Sequence, residues 1–392
     1  MPQSPPAPAT ARKLPSLTGL RFIAAFLVFA FHVTFLPSRY IGGGLGDSLG
    51  DILAKAGFYG VCFFFVLSGF VLTWSARTDD TAPRLWRRRL VKIYPNHLVT
   101  FVLAAVLMTV AAEKISGGQA LANLFLVQTW LPDMATANSM NAVSWSLACE
   151  AFFYLAFPLL LRALKAIPAR LLWPAVAVVA ALMIAAPLIA RSTISGAKLP
   201  GIADGTYSFE QIWFVYFFPP VRALEFVLGM LLALIVRAGR WPRISLAPAV
   251  GIAVAGYVVV SYVPYLFSVA GSAALWLAPL VAAAALADTG GRRSPLCGRV
   301  LVRLGEISFA FYMVHGLVVT YGHKWLVQDT SWSPAAGIAL ALAAFAVSLA
   351  LAHALFSWVE TPLVRRFSAP RPRPSAAPAA VPAAPKVLEV KE

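Results

Sequence analysis

Two ionisable side chains bracket an apolar run near the start of the chain: "RFIAAFLVFAFH" begins with Arg21 and ends with His32. A charged group at the centre of a bilayer costs about 2.5–3.5 kcal/mol on insertion scales, which makes intramembrane ionisable residues functional candidates by default. At about 100° and 1.5 Å per residue, the spacing leaves the pair only about 20° apart around a helix and roughly 16 Å apart along it. A neutral imidazole at His32 suits general-base chemistry near neutral pH. The alternative is a packed histidine hydrogen-bonded to a neighbouring helix. The arginine on the same face favours function, because two costly groups on one stripe imply a shared polar cavity.

Other chemistry-bearing residues cluster in four stretches. "RLWRRRLVKIYP" (84–95), read as a loop opening the third span, offers Arg88, Arg89 and Lys92 to a phosphate-bearing ligand; the same basic residues also serve simply to orient a span. "NAVSWSLACEAFFYLAFP" (141–158) carries Glu150 about one turn into an apolar segment. That carboxylate could orient a histidine, accept a hydrogen bond from a substrate hydroxyl, or pair with an arginine such as Arg222. Asn141, Trp145 and Ser146 just before it combine amide, hydroxyl and aromatic groups suited to a sugar, although a Trp at a membrane interface needs no ligand. "VRALEF" sets Arg222 three residues from Glu225, close enough on a helix to pair. "EISFAFYMVHG" (306–316) adds Tyr312 and a second candidate base, His315, both expected beside the acceptor. Cys62, Cys149 and Cys297 show neither disulfide nor metal-ligand spacing, so no metal site is expected.

These residues are positioned by apolar helices. Of 392 residues, 60% are hydrophobic and 12% charged, about half the charged fraction of a soluble domain, and the mean hydropathy is +0.76. Apolar stretches of about twenty residues recur along the chain, the length that spans a hydrocarbon core. Spans are expected at 18–37, 56–76, 93–112, 145–161, 171–190, 211–236, 244–264, 266–287, 305–325 and 335–358, with an interfacial or re-entrant piece at 120–131. The fold class is thus an all-α integral membrane protein of about ten transmembrane helices. With the N-terminus in the cytosol, 24 of the 32 basic residues fall on cytosolic segments and 6 on outer ones, as the positive-inside rule requires. Both termini are then cytosolic. The +16 net charge is a product of topology and calls for no nucleic-acid partner. Residues 1–16 and 368–392, rich in Pro and Ala, are expected to be disordered around a membrane domain at 17–367.

From about Leu17 to Phe367 the chain resembles the membrane-bound acyltransferase-3 family. The likeness rests on "LTGLRFIAAFLVFAFH", "GVCFFFVLSGFVLT", "RRLVKIYP", "SWSLACEAFFYLAFP", "EISFAFYMVHG" and "VETPLVRRF", in that order. The resemblance implies acyl transfer from cytosolic acyl-CoA, a co-substrate rather than a bound cofactor, to a hydroxyl that is usually on a sugar and often outside the cell. It gives His32 the catalytic role and Arg21 a supporting one. One departure stands out: the family's Arg-x-x-Arg reads Arg89-x-x-Lys92 here, and lysine keeps the charge without bidentate phosphate binding. The expected activity is O-acylation of a carbohydrate, in an envelope glycan or a glycosylated small molecule such as a macrolide, at the cytoplasmic membrane. The rival is a transporter or flippase of an acyl or glycolipid substrate, whose usual inverted repeats are not visible.

Overall fold

The computed structural model describes residues 14–35, 38–77, 80–200, 205–292, 294–327 and 332–368. The two segments expected to be disordered lie outside these residues, except that Leu14 caps and Pro15 and Ser16 open the first helix, and Ser368 closes the last. The described chain is helical: α1 (Pro15–Thr34), α2 (Gly43–Leu53), α3 (Ala56–Ser75), α4 (Ala82–Val110), α5 (Gly117–Leu124), α6 (Met134–Ala137), α7 (Trp145–Lys165), α8 (Leu172–Thr193), α9 (Phe209–Tyr216), α10 (Pro219–Arg237), α11 (Leu246–Tyr262), α12 (Tyr265–Val269), α13 (Ala274–Thr289), α14 (Arg299–Gly322), α15 (Pro334–Leu355) and α16 (Thr361–Ser368). Prolines in the first turns of α1, α4, α10 and α15 start those helices, where a missing N–H has no partner to lose. One π-helical turn, His323–Val327, extends α14, and another, Phe356–Glu360, joins α15 to α16.

Nine helical stretches among the described residues are long and apolar enough to cross a membrane. The remaining expected span, 244–264, is the 17-residue helix α11, at the short end of the spanning range of about 17–25 residues. A second difference concerns α4, which starts at Ala82 rather than near 93. The basic stretch 84–95 is therefore the first turns of a helix and not a loop. Arg and Leu are good helix formers; Arg84 and Arg87 are exposed, and Arg87 donates to Phe367 O from Nε at 2.9 Å and Nη2 at 2.6 Å.

The piece at 120–131 folds back between α4 and α7 and does not form a membrane-length helix. After α5 the backbone is irregular, with Leu126 and Met140 at φ near 57°, and Asn123, Gln128 and Thr129 are fully buried. Irregular backbone at membrane depth needs partners from protein. Asn123 Nδ2 donates to Ser139 O at 2.8 Å and Ser144 Oγ at 3.0 Å, while His97 Nε2 donates to Asn123 O at 3.0 Å.

Helix α1 is enclosed between α3 and α14. A Cβ on Gly305 of α14 would lie 1.9 Å from Thr18 O, and one on Gly60 of α3 would lie 2.8 Å from Ala24 O. The next contact outward, α3 on α10, is as close: a Cβ on Gly69 would meet Phe226 O at 1.9 Å, and one on Gly229 would meet Val66 O at 2.0 Å. Beside this crossing Arg222 Nε stands 3.1 Å from Glu225 Oε2, both side chains wholly buried, with the guanidinium over the rings of Phe65 and Tyr216. The expected ion pair is thus a core element.

Gly229→Ala should lower stability by about 1–3 kcal/mol or more, since a methyl there overpacks against backbone that cannot yield. Gly251→Ala, where a Cβ meets nothing within 4 Å, should be neutral or stabilising by up to about 1 kcal/mol. Thermal melts of the two variants in detergent, expressed at equal level, check the contrast.

Candidate active site

Arg21 and His32 share α1, yet they face two cavities rather than one. Arg21 lines a cavity on the N-terminal half of α1, termed the inner cavity, together with Arg89 and Lys92 of α4 and Glu150 and Tyr154 of α7. His32 lines a cavity at the C-terminal end of α1, the outer cavity, whose other walls come from Glu113, Gln119, Ser139 and Asn141 between α4 and α7 and from Thr320 and Tyr321 of α14. The single polar cavity expected from the stripe is thus divided.

The inner cavity is cationic. Lys92 is paired with the carboxylate of Glu360, which also accepts from Asn96 Nδ2 at 2.6 Å. Glu360 ends the π-helical turn and is nearly fully buried. Arg21 and Arg89 have no carboxylate within ion-pair distance among the described residues, and Arg89 lies over the Tyr154 ring at 5.8 Å. The one carboxylate in the cavity wall, Glu150, accepts from the Tyr154 hydroxyl at 2.6 Å, and Ser68 Oγ donates to that hydroxyl at 3.3 Å. Such a site suits a ligand carrying several negative charges.

A hydrogen-bonded partition separates the cavities. Ser146 and Tyr312 share a hydrogen bond of 2.8 Å, and each hydroxyl lies 3.2 Å from Val143 O. Asn141 Nδ2 donates to Met313 O at 2.8 Å. These bonds pin α14 to the entry of α7. On the outer side of this seam the rings of His32 and His315 meet with centroids 5.1 Å apart.

The expected residues therefore sort into groups. Arg21, Arg89, Lys92 and Glu150 come together in the inner cavity, and Ser146 and Tyr312, expected beside an acceptor, line its wall. His32 and Asn141 line the outer cavity. His315 is fully buried and lines neither. Trp145 packs against Tyr216 and Phe217 in the core, 5.9 Å from the Arg222 guanidinium, away from both cavities. Arg88 turns aside to Asp80 at 2.8 Å, and this hydrogen bond holds the Asp80 carboxyl below the usual carboxylate range. Glu360 and Tyr154 were not singled out in the sequence. Both lie within stretches that carry the family likeness, and Glu360 is the carboxylate of "VETPLVRRF".

A bundle of membrane-length helices, with a cationic cavity at one end and a histidine at the base of a polar cavity at the other, has the makings of a group-transfer enzyme. The chain matches the family Acyl_transf_3, described as "Acyltransferase domain", over residues 14–353, and it belongs to that family. It is a membrane acyltransferase. It is 41% identical over 393 aligned positions to Acyltransferase MdmB of Streptomyces mycarofaciens, covering 97% of this chain and 99% of that one. It is also 30% identical to Peptidoglycan O-acetyltransferase OatA of Listeria monocytogenes, over 37% of this chain and 24% of that protein. A similar partial match, 29% identical, covers 38% of this chain and 25% of O-acetyltransferase OatA of Staphylococcus aureus. No solved structure matches the chain.

Arg21→Lys keeps the charge but loses the planar, multiply donating head. Losing a hydrogen bond to a charged group costs about 1.5–3 kcal/mol, or roughly 10- to 150-fold. The variant should insert normally and lose at least about tenfold in kcat/KM for acyl transfer. Near-full activity in isolated membranes would reduce Arg21 to an anchor.

Proposed function

We propose that the protein is a multi-pass O-acyltransferase of the cytoplasmic membrane. It takes an acyl group, acetyl or another short chain, from cytosolic acyl-CoA and places it on a hydroxyl of a carbohydrate. The acceptor is an envelope glycan or a glycosylated small molecule such as a macrolide. The observation that carries this reading is the division of α1: its arginine faces a cationic cavity and its histidine a polar one. The cationic end is the end rich in basic residues, which the positive-inside rule assigns to the cytosol together with both termini.

In this reading Arg89, Lys92 and Arg21 hold the phosphates and guide the narrow pantetheine arm. The thioester passes Ser146 and Tyr312, whose mutual hydrogen bond must open, to meet His32, roughly 16 Å from Arg21 along α1. A hydroxyl of the acceptor enters from the outer cavity, with Asn141 in the wall. Its oxygen attacks the thioester carbonyl carbon while His32 Nε2 takes the proton. Collapse of the tetrahedral intermediate breaks the C–S bond, and the proton passes from His32 to the departing thiolate. The histidine ends neutral, ready for another turnover.

The test is transfer of isotope-labelled acyl groups from acyl-CoA by the protein in liposomes, followed by mass spectrometry of candidate glycosides and glycans. His32→Ala should abolish product at unchanged protein level, a loss of about 10²–10⁴ from removing a positioned base. Arg89→Ala should raise the apparent KM for acyl-CoA about tenfold or more without a matching rise for the acceptor, whereas Arg88→Ala should leave both nearly unchanged. Wild-type product formation by His32→Ala would remove the base from the mechanism.

A further inference from the structure

His315 was expected in the acceptor site, but its surroundings give it other work. The ring is fully buried, stacked on Phe311 with centroids 5.7 Å apart and met by Phe29 at 6.3 Å. Its Nδ1 lies 2.7 Å from Tyr312 O and 3.3 Å from Phe311 O. Carbonyl oxygens only accept, so Nδ1 carries the ring proton and Nε2 of the neutral ring presents a lone pair. That lone pair is aimed at the other histidine: His315 Nε2 lies 3.4 Å from His32 Nδ1.

The same logic fixes His32. Its Nδ1 is 2.7 Å from Val28 O, so this nitrogen also carries a proton, shared between the Val28 carbonyl and His315 Nε2. The remaining nitrogen of His32, Nε2, is then bare, on a ring that lines the outer cavity. Both proton positions are assigned from hydrogen-bond geometry, and the two assignments agree with each other.

We infer that His315 is the positioning residue behind His32, a neutral acceptor in the place where many general bases have a carboxylate. It rests on the reading of His32 as the base. In the resting state the contact of 3.4 Å is long, as catalytic hydrogen bonds often are before substrate binds. When His32 takes the hydroxyl proton on Nε2, its ring becomes a cation and Nδ1–H becomes a stronger donor. His315 Nε2 and Val28 O then accept from it together. A protonated His315 would instead oppose one N–H with another, so the buried ring must stay neutral throughout. The aromatic clamp of Phe29 and Phe311 prevents the ring from turning its other nitrogen toward His32. No atom of His315 needs to touch either substrate.

The experiment compares His315→Leu, His315→Gln and His315→Asn with the wild type in liposomes, with steady-state constants for acyl-CoA and acceptor. Leucine removes the acceptor, glutamine restores one at similar reach, and asparagine is polar but one methylene too short. The inference requires kcat to fall about 10- to 100-fold in the leucine and asparagine variants, with both KM values within about twofold of wild type and glutamine recovering most of the loss. Where the leucine variant does not accumulate, the ratio of glutamine to asparagine decides. His32→Ala combined with His315→Leu should be no slower than His32→Ala alone, since the two act as one unit. A raised acceptor KM at unchanged kcat would return His315 to substrate binding and overturn the inference. Equal kcat in all three variants would overturn it as well. An active His32→Ala would defeat the base assignment and this inference together, whereas an inactive His32→Ala with a fully active His315→Leu defeats this inference alone.

Discussion

A helix that carries an arginine and a histidine on one face cannot show that face to lipid, and the rest of the architecture follows from hiding it. Helix α1 is held between α3 and α14 by contacts so close that side chains are excluded at Gly60 and Gly305. Helix α3 in turn needs a backing, which α10 supplies through Gly69 and Gly229. The buried Arg222–Glu225 pair sits at that second layer. Both partners belong to α10, and what ties that helix to its neighbours is the guanidinium, which donates to Val269 O at 3.3 Å and lies over the Phe65 ring of α3. The outermost helices, α8 and α15 among them, turn large apolar side chains outward, as helices facing lipid do.

Division of the interior into two cavities has a chemical logic. A cationic chamber and a polar chamber holding a histidine would each lose selectivity if water ran freely between them. The seam of Ser146, Tyr312, Val143 and Asn141 lies between them, held by hydrogen bonds from both hydroxyls and from Asn141 Nδ2, while Asn141 Oδ1 has no hydrogen-bond partner among the described residues. Fixing Lys92 through Glu360 leaves Arg21 and Arg89 as the cations of the inner chamber without a carboxylate partner among the described residues. Charge balance inside the protein thereby sets how much charge a ligand must bring.

The helices and the Arg21–His32 relation were legible because both depend on local periodicity, which a single segment reveals. The start of α4 was not, since the run of basic residues at 84–92 masks the apolar pattern although it favours helix. The partition was not legible either: Ser146 and Tyr312 are 166 positions apart, and nothing local to either marks the other. Glu360 was missed for a different reason. A π-helical turn shifts the face on which a residue emerges, so ordinary helical spacing along α15 does not place this carboxylate beside Lys92. Trp145 shows the reverse error, an aromatic at an apparent interface that is drawn inward over a buried guanidinium.

The enclosure of α1 also governs the order in which the protein can be made. His32 and His315 are separated by 283 positions, and Ser16, at the start of α1, is bonded to Asp288, 272 positions on. At about 5–20 residues per second, the first helix waits roughly fifteen seconds to a minute for the last of its two walls. During that interval the Arg21 end of its ionisable face can be covered by α3, α4 and α7, while the His32 end still lacks α14. The histidine pair is therefore assembled near the end of synthesis, after α3, α4 and α7 have already delivered the residues of the inner chamber.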